Sequence, residues 1–390
     1  MHPLIEKAWK ATPKPIQDTI AVTVDRLSRV QLPHPPTVSQ SANNRVFIGP
    51  TNYAGQGYRW ARAIEANPLT AACSMVGAEN NAFGYDVDYT VRWRTMTHSR
   101  QWQNQFLDTL ATSFTHVLIE AEMPILGGLH NEDLRRQIST LRERGLAVGM
   151  ICHGTDVRLP SRHAALEPWS FLADNEWVPL RLAEAEIQAN LDLLEEVAAP
   201  TFVSTPGLLV DVPYGHLLPV VILPSMWNNT APVLERMRPR VLHVPSNAVT
   251  KGTHKIAPVL ERLHEEGLIE YVQSVGLEHS EMPDLYASTD VVLDQFRSGD
   301  YGVAACEAMA AGRIVVSHVS DRAREIVSTE TGIDLPIVEA TIDSLEVVLR
   351  DILAHPDHYR TVAARGPAFV DEVHDGRMSR QALEAHFLEA

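Results

Sequence analysis

From Arg45 onward, short apolar runs alternate with amphipathic stretches, and this alternation constrains the fold more than any other feature. Val46-Phe47-Ile48 and residues 148–152 are short apolar runs, as strands buried on both faces are, and Thr201-Phe202-Val203 and residues 71–76 and 116–119 are further strand candidates. Between them, residues 58–65, 134–144 and 180–197 carry helical periodicity, and Gly145 is a C-terminal stop. A second round follows, with strands at 240–244, 271–275, 291–293 and 314–317. Its helices fall at 256–266, 282–288 and 303–311, the first and last closed by Gly267 and Gly312. This βαβ repetition predicts an α/β chain of two doubly wound, Rossmann-like domains with mostly parallel sheets. In such sheets ligands bind beyond the carboxyl ends of strands, so the loops that follow strands are where chemistry is expected.

The 390 residues suffice for two cores, and Val220-Val221-Ile222-Leu223-Pro224 reads as the crossing between them. The expected organisation is an N-terminal helical arm and linker at 1–40 and a first domain at 41–215. A second domain follows at 216–365, then a C-terminal helix at 366–390 that returns to the first. In the arm, Pro13 and Pro15 precede the helical stripe Ile16, Ile20, Val24 and Leu27, and Leu32-Pro33-His34-Pro35-Pro36 reads as an extended linker. The arm holds five Lys/Arg against three Asp/Glu. It is read as packing on its own subunit, or as a site of peripheral membrane contact or dimerisation.

No run of 18 apolar residues occurs, and residues 1–10 lack the pattern of a secretory signal. Cys73, Cys152 and Cys306 are odd in number and widely spaced, as buried thiols of a reducing compartment would be. The expected location is cytoplasmic, with membrane association through the arm as the variant. A net charge of −16 argues against a nucleic-acid partner but leaves room for a small anion such as a nucleotide.

Among the motifs, the segment from Asp300-Tyr301-Gly302-Val303 through Glu307 to Gly312 is the most informative. Gly302 stands just ahead of a helix, where free amides favour an anion, and Glu307 lies a turn and a half inside it. The bland reading is a small-residue helix packed on a sheet. The string resembles the signature of family-4 retaining glycosyltransferases of the GT-B fold, E-x-x-G-x-x-x-x-E-A-M-A-x-G. The run Asp284-Leu285-Tyr286-Ala287-Ser288-Thr289-Asp290 is similar to the stretch that precedes it there. The resemblance implies that Glu307 contacts the nucleotide ribose and that Gly302, Tyr301 and Val303 present backbone to the donor. The family's first Glu, a donor-sugar contact, falls here on Gly299, with Asp300 and Asp294 nearby.

Three further elements fit the same resemblance. His243-Val244-Pro245-Ser246-Asn247, continuing to Lys251-Gly252, places Lys251 at the family's lysine for the leaving diphosphate. Ser246 replaces the arginine of that basic pair, and Lys255 or Arg297 are the candidates to compensate. The loop Gly49-Pro50-Thr51-Asn52-Tyr53-Ala54-Gly55-Gln56-Gly57 is similar to the family's first loop, with Gly55 and Gly57 as close-approach positions near the donor. His153-Gly154-Thr155-Asp156-Val157-Arg158 is similar to an element that lines the acceptor side. His153, Asp156 and Arg158, with Glu120 and Glu122 after the preceding strand, are the acceptor-side candidates.

The function implied is transfer of a sugar from a nucleotide-diphosphate sugar, with retained configuration, to a glycan, lipid or small-molecule acceptor. His153, Lys251 and Glu307 would be its central residues. The GT-B class needs no bound metal, and no H-x-x-x-H or C-x-x-C pair here calls for one; no cofactor is expected. The alternatives are another GT-B enzyme, such as a nucleotide-sugar epimerase or phosphorylase, or a sugar-nucleotide binder that has lost catalysis.

Overall fold

The computed structural model describes residues 12–27, 31–78, 84–173, 184–274 and 276–389. Parts of the expected arm (1–11 and 28–30), the start of the helix expected at 180–197 (180–183) and Val275 of an expected strand lie outside the described residues. Among them, twelve strands form, all pairing in parallel where a register is defined. These are β1 Asn44–Gly49, β2 Thr70–Gly77, β3 Tyr89–Val91, β4 His116–Glu120, β5 Ala147–Cys152, β6 Thr201–Val203 and β7 His216–Leu217, followed by β8 Arg240–His243, β9 Glu270–Gln273, β10 Val291–Leu293, β11 Ile314–Ser317 and β12 Val338–Glu339. One sheet has the order β3-β2-β1-β4-β5-β6-β7, the other β12-β11-β10-β8-β9.

By its contacts the chain divides into two units. The first holds the described residues of Met1–Asn81, Asp86–Ile151 and Leu193–Pro200, and the second those of Ala82–Tyr85, Cys152–Asp192 and Thr201–Ala390. In the first unit Val46, Phe47 and Ile48 are wholly buried. Phe47 meets Phe106 and Phe114 edge-on, with ring centroids 5.3 and 5.2 Å away, a favoured aromatic geometry. The arm's helix, Lys14–Leu27, is tied to this unit by Asp18 to His98 (2.7 Å) and Lys14 to Glu132 (2.5 Å). Its stripe of Ile16, Ile20, Val24 and Leu27 is exposed.

In the second unit the apolar runs of β10 and β11 are buried on both faces, as their composition predicts. The alanine-rich helix Val303–Ala310 has a physical reason for its small side chains. It packs on helix Pro356–Val373 so closely that a Cβ at Gly366 would lie 2.6 Å from the Met309 carbonyl oxygen. Helix Arg377–Leu383 anchors through Ser379 Oγ to the Pro219 carbonyl at 2.7 Å, and His386 stacks on His216 at 3.6 Å. No described helix is long and apolar enough to cross a membrane. All three cysteines are buried, and none is joined in a disulfide among the described residues.

Candidate functional site

Strand order reverses between β1 and β4 in one sheet and between β8 and β10 in the other. At such a switch point, adjacent connections leave to opposite faces and open a crevice beyond the strand ends. The predicted loops after β1, β8 and β10 fall at these two places, while the one at 153–158 follows β5.

In the first unit, the loop after β1 folds around Glu120, the last residue of β4. Glu120 is wholly buried, and its Oε2 accepts from the backbone N–H groups of Thr51 (3.1 Å) and Asn52 (2.9 Å). Asn52 in turn accepts from the Tyr58 N–H at 2.9 Å. Gly55 has φ 72°, a left-handed conformation that favours glycine. Gly57 is needed for space, because a Cβ there would lie 3.2 Å from Asn52 Oδ1 and 3.3 Å from both Glu120 oxygens. Glu122 is buried, with φ 50°. Glu120 therefore acts within the loop, holding its backbone.

The second unit carries the richer constellation. Lys251, at the end of the short helix Ala248–Lys251 after β8, donates to Oδ1 of Asp294, the residue that follows β10. Asp294 is buried, and its Oδ2 has no hydrogen-bond partner among the described residues. Asn247 caps helix Ala248–Lys251, accepting from the N–H groups of Val249 (3.0 Å) and Thr250 (3.2 Å), while Ser246 is exposed. Gly252 has φ 77°, which lets the chain turn straight into helix Thr253–Glu265. Behind Lys251, the buried His243 bonds the Leu293 carbonyl (3.0 Å) and Thr253 (2.9 Å), and burial pushes its imidazole down to about 4.

Arg297 does not extend into open space. It donates to the carbonyls of Trp169 (2.9 Å), Ser170 (3.0 Å) and Val249 (3.3 Å), so it braces the loop carrying Lys251. Asp300 is buried and accepts from Arg158 (3.2 Å), the Gly207 N–H (3.0 Å) and the Tyr301 N–H (3.1 Å). Burial raises its carboxyl above the ordinary value, with Arg158 and the hydrogen bonds opposing. Tyr301 is buried, its hydroxyl 3.3 Å from His374 Nε2. Gly302 is the N-cap of helix Val303–Ala310, and a Cβ there would meet nothing within 4 Å. The backbone at this helix start is thus approachable. Val303 is partly buried.

Glu307 is buried, with Oε1 2.7 Å from His279 Nε2. The His279 ring packs against Tyr85 (4.7 Å) and Trp227 (5.6 Å). Burial, with the Glu307 charge adding to it, raises the Tyr85 hydroxyl well above its usual range. Asp156 closes the turn after β5, accepting from the N–H groups of His153 (2.7 Å) and Gly154. Half-buried His153 stands on this turn, and Arg158 leads from it to Asp300 and the Ser298 carbonyl.

Sequence reasoning did not find His279, nor the chain Glu167–His318–Glu339. His318 bonds Glu167 at 2.8 Å and Glu339 at 2.7 Å, and although burial opposes it, these carboxylates raise the imidazole to about 9. A histidine one residue past β11 was a usable signal; nothing local marked Glu167.

Residues 220–351 match the family model of group 1 glycosyl transferases, a span that contains Lys251, Asp294, Gly302 and Glu307. The fold is GT-B. Among solved structures, a sucrose-phosphate synthase from Thermosynechococcus elongatus superposes with a TM-score of 0.60 at 13% identity, covering 89% of this chain and 98% of that one. Anabaena HepE in complex with UDP-glucose gives 0.57 at 12%, covering 88% and 98%. WaaG, a glycosyltransferase involved in lipopolysaccharide biosynthesis, gives 0.52 at 14%, covering 88% and 99%. No curated protein matches the chain.

Proposed function

We propose that this protein transfers a sugar, with retained anomeric configuration, from a nucleotide-diphosphate sugar to a glycan, lipid or small-molecule acceptor. One arrangement carries the reading. At the switch point of the second sheet, Lys251 meets Asp294 beside the connection that runs to Gly302 and the open start of helix Val303–Ala310. An ammonium and helix-start amides are what a leaving diphosphate requires, since both stabilise developing negative charge. Glu307, inside that helix, is the acceptor for a ribose hydroxyl, and the HepE complex with UDP-glucose is consistent with such a donor. Lys251, with the amides, supplies the charge compensation without a resident cofactor. His153, Asp156 and Arg158 belong to the acceptor side. We place the enzyme in the cytoplasm.

Calorimetry with uridine, guanosine and adenosine diphosphates tests the nucleotide half, and no binding at millimolar ligand would end this reading. Retention is checked by NMR of the anomeric proton in the product. A second reading, a sugar-nucleotide binder without transferase activity, draws support from Gly299 and Ser246 at two expected polar positions. Nucleotide binding without donor turnover or hydrolysis would select it.

A further inference from the structure

The geometry points to Glu167 as the sugar-selecting carboxylate of the donor site, standing where a side chain at position 299 would otherwise reach. The inference rests on the nucleotide-sugar reading and adds to it a residue from a distant part of the chain.

Gly299 lies in the connection between β10 and helix Val303–Ala310, five residues after Asp294 and eight before Glu307. Its φ is 63°, and a Cβ built on it would lie 2.5 Å from Glu167 Cδ and 2.9 Å from Glu167 Oε2. The volume of a residue-299 side chain is therefore already filled, and filled by a carboxylate. Both sides of this contact are fixed. Ser320 donates to the Gly299 carbonyl from its N–H (3.0 Å) and its hydroxyl (2.9 Å). Glu167 follows helix Pro160–Leu166, with its N–H on the His163 carbonyl at 2.8 Å, and its Oε2 accepts from His318. The Trp169 ring meets His318 edge-on at 5.2 Å, and the Trp169 indole donates to Asp343.

Glu167 Oε1 makes no hydrogen bond among the described residues. A carboxylate at this place repels phosphate but accepts strongly from hydroxyls. The connection thereby sorts a nucleotide sugar by charge: diphosphate toward Lys251 and Gly302, sugar hydroxyls toward Glu167. Holding the carboxylate from residue 167 ties sugar recognition to the segment after β5, and Gly299 is the residue that makes room for it.

The test uses the full-length protein and calorimetry with uridine, guanosine and adenosine diphosphates and their glucose, N-acetylglucosamine and mannose conjugates. For the diphosphate that wild type binds, Glu167→Gln should leave Kd within about twofold while weakening the preferred conjugate at least tenfold. In the double variant Glu167→Ala with Gly299→Glu, the preference for that conjugate should return at least in part, which a purely structural role for Glu167 would not produce. Equal losses for diphosphate and conjugate, or no loss for either, overturn the role of Glu167. Wild type that binds a diphosphate but prefers none of its conjugates also overturns it, and leaves the nucleotide reading standing. Wild type that binds no diphosphate overturns both.

Discussion

Lys251 donates to one oxygen of Asp294, and the other oxygen of that buried carboxylate has no hydrogen-bond partner among the described residues. The pair sits where strand order reverses, at the ends of β8 and β10. In the proposed diphosphate site, a counter-ion held there would orient the ammonium before phosphate arrives, leaving less ordering to be done on binding.

Lys251→Ala should lower kcat/KM for donor at least tenfold, because a charge-assisted phosphate contact is worth about 1.5–3 kcal/mol. Steady-state kinetics over a range of donor concentration provides the check. Unchanged turnover would remove Lys251 from the diphosphate site.

Glu307→Gln should weaken nucleoside-diphosphate binding by roughly 1–2 kcal/mol, since a ribose hydroxyl would meet a neutral acceptor in place of a charged one. Calorimetry measures it directly. His279, 2.7 Å from Glu307, offers a second handle, and His279→Ala should shift the same constant in the same direction.

Glu120→Gln leaves one oxygen to accept from the two backbone N–H groups that Oε2 now takes, but makes that acceptor neutral. A loss of about 1–3 kcal/mol in urea unfolding is expected. A variant as stable as wild type would show that the loop after β1 holds itself without the carboxylate.

Stability should fall on both sides of neutrality. His163, His243 and His374 have imidazoles held down to about 4, in each case chiefly by burial. The unfolded chain, with its pKa near 6.5, then binds more protons between pH 6.5 and 4, so stability drops as pH falls through that window. His318 is the reverse case, raised to about 9 by Glu167 and Glu339 against the cost of burial. Its contribution is complete below about pH 6.5 and is lost as pH rises through about 9. Melting temperatures from pH 4 to 10 should show a maximum near pH 6.5–7, and His318→Gln should flatten only the alkaline limb.

Much of this was readable from the sequence, for identifiable reasons. β10 and β11 announce themselves because strands buried on both faces must be continuously apolar. Gly302 and Glu307 were legible because one helix fixes their separation. The end-of-strand position of Glu120 was legible too, but not its turn inward to the loop amides. Partners distant in sequence were not legible at all. Glu167 and His318 are 151 residues apart, Lys251 and Asp294 are 43 apart, and spacing reports only what shares one element. Arg297 shows the same limit, since its type suggested a phosphate ligand and its surroundings give it three carbonyls.

Asp300 binds Arg158 from the segment after β5 and the Gly207 amide from the segment after β6, while sitting itself in the segment after β10. A Cβ at Gly207 would lie 2.6 Å from its Oδ2, so no position in this trio can change size alone. Anyone building chimeras of this protein with its structural relatives must therefore exchange the three connections as a single cassette. Grafting one by itself would strand a carboxylate or a guanidinium without its mate.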